Sequence, residues 1–390
     1  MVKASYAQLC KDFKGNKHFT ALGGQSAQQC LKSVVEAISS YNKLIRCWWR
    51  GELSNKPRIP GYRTSGGMYQ VAFTAQNTAY DDVSSSCRLS ISRENKSDLT
   101  ISELVIPGGT TLKSEQLSEV RIVPANNQLW AEYVYKVEPI KAVGLNYESA
   151  ISIDHGVSNW LSVLDSRGKS FIVCGKKIKS INQRYNKTVA NYKKSKPAKY
   201  WDDFLARITH KRNCQMRDAV NKAARFIINY CLNQGIGNIV FGWGQGIKNR
   251  SNLNKQNNQN FVQIPTARLK NRIQELAKSV GIIFTETEEA YSSKASYLDN
   301  DFVPKYGEKL KEYKFSGRRI TRGSYKSAQG FVVSADIQAC GNILRKVAVQ
   351  LGISLVEAGK GALILPKRYT LDMMRRVYRK NGEMCLQTIS

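Results

Sequence analysis

The sequence is short of histidine, of paired cysteine and of acid. Three histidines occur in 390 residues, too few for a zinc site of ordinary spacing. Nine cysteines stand singly along the chain with no C-x-x-C pair, so they carry neither a disulfide framework nor a thiolate-metal motif and fit buried thiols in a reducing cytoplasm. No apolar run approaches the ~18 residues of a membrane span. No signal peptide is expected at Met1, and neither terminus carries a strongly amphipathic basic helix. Thirty acidic residues face 60 basic ones, a formal net charge of +30. A charge so far from neutral calls for a polyanionic partner, because release of counterions from phosphates drives such binding. Nucleic acid is the expected partner and a membrane is not.

What is present suffices for two or three domains, with 42% hydrophobic residues available for cores. Residues 5–50 read as helical, with Cys30, Val34, Val35, Ile38 and Tyr41 at steps of three and four. From Lys56 the texture changes to Pro and Gly turns between short alternating segments, which predicts a small barrel or meander reaching Pro139. Ala150 to Gly175 offers three strands separated by turns. A basic helical hairpin follows over residues 179–234, broken at Pro197. Then come a fourth strand, "GNIVFGWG", a helix closed by Gly281, a fifth strand, "IIFTETEEA", a polar segment over residues 292–330, and a last helix whose face carries Ile337, Cys340, Ile343, Leu344 and Val347.

Three antiparallel strands followed by helices alternating with two further strands is the order of an RNase H-like α/β fold. Its first, central strand carries an Asp near its end, and Asp154 fits that place, directly before Gly156, whose missing side chain would let a phosphate backbone approach. Asp336 stands at the start of the last helix. Each has a plainer reading alone, Asp154 as a turn residue and Asp336 as a helix cap. Together they are what a metal-dependent nuclease of this fold needs, since carboxylate oxygens hold Mg2+ and two such ions can activate water and stabilise a leaving oxygen. The third carboxylate is expected after the fourth strand, where Gly242, Trp243 and Gly244 stand instead. The end of the fifth strand carries Glu286, Glu288 and Glu289. Alternation puts Glu286 and Glu288 on one face and Glu289 on the other, so one of the last two is expected to supply the ligand, with Glu288 slightly favoured. His155 is assigned no catalytic role, and Asn159 is expected to bond nearby backbone.

The segments "SIDHGVSN", "RITHKRNCQMRDAVNKAARFIINYC", "NNQNFVQIPTARLKN", "GIIFTETEEAYSSKASYLDNDFVP", "FSGRRITRGSYKS" and "SADIQACGNILRK" together resemble the TnpB family of transposon-encoded RNA-guided nucleases. The resemblance covers most of the chain between Ile151 and Arg345, and "KPRIPGY" looks like the family's wedge domain. Two departures stand out: the zinc ribbon usual after the "YSS" element is absent, so no structural zinc is expected, and the usual catalytic Glu after the fourth strand is missing. The chain therefore resembles a branch with a rearranged site.

The resemblance implies a wedge (β-barrel) domain with a helical recognition segment over residues 1–145. It implies a RuvC-like nuclease domain over 146–350, with a nucleic-acid-binding loop at 292–330, and a C-terminal tail over 351–390. Asp154, Glu288 or Glu289, and Asp336 would hold two Mg2+ ions, with Asp154, Glu288 and Asp336 the favoured metal set. Arg318, Arg319 and Arg322 could clamp a phosphate bidentately. Arg58 and Arg63, interleaved with aromatics as Trp48 and Trp49 are, suit RNA contact with base stacking, although core packing is the favoured reading of the two tryptophans. The implied partners are a noncoding guide RNA and double-stranded target DNA, held by a monomeric ribonucleoprotein in a prokaryotic cytoplasm, at the nucleoid. An inactive RNA-guided DNA-binding repressor and an RNase H-like transposase share most of these features and remain open.

Overall fold

The computed structural model describes residues 2–62, 67–100, 103–107, 113–244, 264–355 and 358–374. The chain divides between Val137 and Glu138 into two units. In the first, helices α1 (Tyr6–Phe13), α2 (Lys17–Leu22) and α3 (Gly24–Trp49) precede six strands. These are β1 (Val71–Thr74), β2 (Thr78–Asp81), β3 (Ser86–Leu89), β4 (Leu104–Ile106), β5 (Leu117–Ala125) and β6 (Gln128–Tyr135), with the short helix α4 (Arg93–Leu99) between β3 and β4. Two antiparallel sheets result, β1-β5-β6 and β2-β3-β4, and among the described residues no ladder closes them into one barrel. Phe73, Cys87, Leu89, Leu117 and Val120 form the core they share. Trp49 is 61% exposed and Trp48 is half-buried with the Lys56 ammonium 5.2 Å from its ring centre. Arg58 is exposed, and Arg63 lies outside the described residues.

The second unit is built on β7 (Asn146–His155), β8 (Asn159–Asp165) and β9 (Ser170–Cys174), followed by α5 (Lys176–Lys193) and α6 (Asp203–Gln234). Next come β10 (Ile236–Gly242), α7 (Thr266–Val280) and β11 (Ile283–Thr287), then a small sheet of β12 (Arg318–Arg319), β13 (Ser324–Lys326) and β14 (Val332–Ser334). The chain finishes with α8 (Ala335–Leu351), α9 (Lys360–Ile364) and β15 (Lys367–Tyr369). The main sheet runs β11-β10-β7-β8-β9-β15, with β7 pairing antiparallel to β8 and parallel to β10. This is the strand order expected of the RNase H-like arrangement, with one strand added at the far edge.

β7 is buried from Ser149 to Ile153 and β10 along its whole length, as strands covered on both faces are. On one face Ile151, Ile153, Ile239 and Phe241 pack against Ala223, Ile227, Leu269 and Ile273 of α6 and α7. On the other, Ala150 and Val240 meet Ile343, Leu344 and Val347 of α8. Each such side chain contributes roughly 1.5–3 kcal/mol on leaving water. Alternation along β7 therefore puts Asp154, two and four residues on from Ser152 and Ala150, on the α8 face.

The segment beyond 350 is more than the tail read from sequence. β15 pairs parallel with β9, Lys367 opposite Phe171 and Tyr369 opposite Val173. The Tyr369 ring packs against Phe171 and Phe226, with ring centres 5.8 and 4.7 Å apart.

Candidate active site

β7 ends level with β10, and α8 begins beside them, so three parts of the chain deliver carboxylates to one end of the sheet. Asp154 leaves the end of β7, Asp336 lies in the first turn of α8, and Glu289 follows β11. Asp154 feels both of the others. Burial first, then Glu289, then Asp336, holds its carboxyl well above the usual carboxylate range. Glu289 is itself pushed up to about 7 by burial, with Lys346 pulling the other way.

The turn after β11 separates the two adjacent glutamates. The Thr287 carbonyl accepts the Trp243 N–H at 2.8 Å, which ends the strand. Tyr291 then adopts a left-handed conformation with φ 60°, and the Ser292 N–H turns back to the Glu289 carbonyl at 3.2 Å. Glu288 is held by two other partners. It accepts from Lys346 Nζ at 3.0 Å and from the Tyr306 N–H at 3.2 Å. Glu289 lies 18% exposed with its Oε2 3.7 Å from His155 Nε2. Glu286 is paired with Lys270, whose ammonium also sits 5.2 Å from the Trp243 ring centre. Strand alternation, which set Glu288 and Glu289 on opposite faces, does not extend past Thr287, where β11 ends.

His155 packs on Trp243, ring centres 5.2 Å apart, and on Phe241 at 6.0 Å, an aromatic floor beneath Glu289. Gly156 serves the chain's own turn. A Cβ there would stand 2.6 Å from the Asn159 carbonyl oxygen, so glycine is needed whether or not a phosphate approaches. Asn159 does not bond local backbone as expected. Its Nδ2 donates to Asp336 Oδ2 at 2.6 Å, while its Oδ1 accepts from Arg368 Nη1 of β15 at 3.1 Å. Arg319 Nη2 donates to Asp336 Oδ1 at 3.2 Å, so this arginine reaches the carboxylates, whereas Arg318 and Arg322 are exposed on the hairpin. Asn159 and Arg368 were missed as a pair because a three-residue strand carries no periodicity to read.

Where the resembling family has its ribbon, carboxylates organise the loop. Asp301 accepts from the Ser296 N–H at 2.6 Å and the Ser316 hydroxyl at 2.7 Å, and Asp299 accepts from the Ala328 N–H at 2.8 Å. Tyr297 and Tyr325 anchor this loop on α8 beside Ile337 and Cys340, which fixes the β12–β13 hairpin and hence Arg319.

The gap after β10 also has a physical cause. A Cβ on Gly242 would fall 2.6 Å from Ile343 Cδ1 and 3.3 Å from the Ile153 carbonyl oxygen, so α8 occupies the space a glutamate would need. Gly242→Ala is expected to destabilise the protein by about 1–3 kcal/mol through overpacking. Adding Ile343→Val, which removes the clashing methyl, should recover part of the loss. Calorimetry of the single and double variants checks this, and an unshifted melting temperature for Gly242→Ala would refute it.

Three carboxylates supply only hard oxygen donors, the chemistry a Mg2+ ion requires, and burial, Glu289 and Asp336 together make Asp154 hold its proton more tightly than an ordinary carboxyl does. Asp336 is turned onto Arg319 and Asn159. Among the described residues no three His, Cys, Asp or Glu side chains converge closely enough to hold one ion in this arrangement.

Fold and site together define an α/β domain of RNase H-like order with an acidic cluster at the end of its central strand. Residues 132–244 match the OrfB_IS605 family, described as "Probable transposase". No curated protein matches the chain. Among solved structures, it is similar to a Cas12f1–sgRNA–target DNA complex, at 14% identity and a TM-score of 0.41 over 87% of this chain and 79% of that one. A CRISPR-Cas12f ternary complex gives 12% identity and 0.37, over 87% of this chain and 75% of that one. The mini-RNA-guided endonuclease CRISPR-Cas_phi3 gives 14% and 0.34, over 68% and 58%. Among the described residues no helix is long and apolar enough to cross a membrane.

Proposed function

We propose that the protein is a guide-RNA-directed DNA endonuclease that hydrolyses phosphodiesters next to a short flanking motif. The observation that carries this reading is the meeting of Asp154, Glu289 and Asp336 at one end of the sheet, in a chain of net charge +30. These three residues would hold divalent cations. A bound pair of such ions supplies an activated water and charge stabilisation at the leaving oxygen.

The chain's own groups prepare the place. Arg319 and Asn159 orient Asp336, which with Asp154 and Glu289 would hold the ions, and the Arg319 guanidinium would offer a bidentate donor to a phosphate there. Lys346 keeps Glu288 aside and offsets part of the acidic charge. The aromatic floor of His155 and Trp243 excludes water beneath Glu289. Base pairing to the guide would supply sequence specificity, with the protein holding the heteroduplex through its backbone. The first unit would act as wedge, its two sheets forming a barrel-like body and α1–α3 the recognition element. A reading in which the chain binds DNA without cutting draws on the ties of Asp336 to Arg319 and Asn159, and Mg2+-dependent cleavage decides between the two.

Purified protein is expected to carry one structured RNA of defined sequence, because so large a positive charge without a sequence-reading DNA module calls for a tightly held folded polyanion. Sequencing the co-purifying nucleic acid checks this. A monodisperse, nucleic-acid-free protein that cuts a defined DNA site would exclude the guide.

A further inference from the structure

On the opposite face of the sheet from α8, a cavity of about 400 Å³ opens between α5, α6 and the start of α7. Its walls include Tyr185, Arg212, Asn213, Met216 and Arg268, and among the described residues none that lines it is acidic. Arg212 is half-buried and fully oriented. Its Nε and Nη2 both donate to Asn182 Oδ1, at 2.9 and 2.8 Å, and its Nη1 donates to Asn213 Oδ1 at 3.0 Å. Asn182 is only 4% exposed, so the Nε–Nη2 edge of the guanidinium is held by a fixed, neutral partner that does not cancel its charge, and one N–H on each of Nη1 and Nη2 is left over. Arg268 is exposed at the rim and close enough to Arg212 to repel it. Burial, and then Arg268, depress the Arg212 guanidinium, with Tyr185 opposing.

Two like charges held at one concave site with no acid between them cost free energy unless an anion joins them. A planar guanidinium clamped at its base presents its free edge for bidentate contact, the geometry a phosphate takes. The cavity falls within the usual range of ligand sites, with room for a phosphodiester and an adjoining sugar. It also opens at a useful end of the fold. α7 is the crossover between the parallel strands β10 and β11, so it starts at the sheet end where β10 finishes, the end that carries the carboxylates. We infer that the Arg212–Arg268 cavity is a phosphodiester-binding site that grips a nucleic-acid backbone on the face of the sheet opposite the carboxylate cluster. The inference rests on nucleic acid being the partner and not on the carboxylates cutting it.

The test uses the full chain stripped of nucleic acid in high salt, with fluorescent twelve-nucleotide single strands of DNA and of RNA as separate probes. Affinity is measured across a salt series. For the strand that occupies the site, Arg268→Gln should weaken binding roughly three- to tenfold and lower the slope of log affinity against log salt by about one phosphate contact. Arg268→Lys should restore most of the slope. The control Lys278→Gln removes one charge from the exposed far end of α7 and should change affinity less than about twofold. Arg268 makes no structural hydrogen bond among the described residues, so its loss leaves the fold intact, and Arg212→Gln then serves as the stronger variant. A drop for RNA alone assigns the cavity to RNA, and a drop for DNA alone assigns it to DNA. If Arg268→Gln matches Lys278→Gln for both probes, the site does not exist. Because the readout is binding, loss of the slope in a protein that never cuts would leave this site standing while removing the nuclease reading.

Discussion

Asp154→Asn is expected to lower DNA cleavage to below about one thousandth of the wild-type rate while leaving guide and target affinity unchanged or slightly tighter. The asparagine keeps the shape at the end of β7 and removes the charge that a hard cation needs. Binding is expected to escape because Asp154 is an acid that offers phosphate no attraction, and because deleting one negative charge from the cluster reduces repulsion of phosphate. The same substitution should raise the melting temperature of the metal-free protein. Asp154 is a buried acid whose ionised form is opposed by Glu289 and Asp336, so the amide relieves a cost. Cleavage assays beside filter binding and calorimetry check the three parts together. Undiminished cleavage would show that Asp154 does not hold the catalytic ion.

Glu289→Gln should remove Mg2+-dependent cleavage to a comparable extent, whereas Glu288→Gln should cost only a few-fold and Glu286→Gln still less. The difference follows from where each carboxylate is held: Glu288 on Lys346 and the Tyr306 amide, Glu286 on Lys270, and Glu289 beside Asp154. Acidity adds a second readout. The Glu289 carboxyl sits at about 7 against an ordinary 4.5, so the folded state binds its proton more tightly than the unfolded state does. Metal-free stability is thus greatest below about pH 4.5 on this group's account and falls as pH rises toward 7, a slope that Glu289→Gln abolishes. Cation binding must displace that proton, so cleavage at limiting Mg2+ should climb as pH rises through about 7. Equal losses for Glu288→Gln and Glu289→Gln would refute the assignment.

The element order of the second unit was legible because the strands of its main sheet, the short β15 aside, are largely apolar between turns and its helices carry regular faces. The positions of Asp154 and Asp336 were legible with it, since each occupies a station defined by the element that bears it. The choice between Glu288 and Glu289 was not. It depends on a turn made by Tyr291 and Ser292, and strand alternation holds no information once pairing stops at Thr287. The empty station at Gly242 was visible as an absence, but its cause, the Ile343 methyl, lies a hundred residues away. The N-terminal strands were read correctly as short and turn-separated. Their grouping into two sheets depends on which edges pair, and alternation within a strand is silent on that.

The pairing of β15 with β9 joins residues about two hundred positions apart, and time is the quantity it controls. A ribosome adding roughly 5–20 residues per second needs on the order of ten to forty seconds after releasing Phe171 to produce its neighbour Lys367. Throughout that interval β9 is a bare edge, a surface that invites foreign strands. Asn159 meanwhile has no Arg368 to hold it, and Asp336 has been made only near the end. The acidic cluster is therefore among the last features of the molecule to be assembled, and a half-made chain stands for most of its synthesis with Asp154 alone at the end of β7.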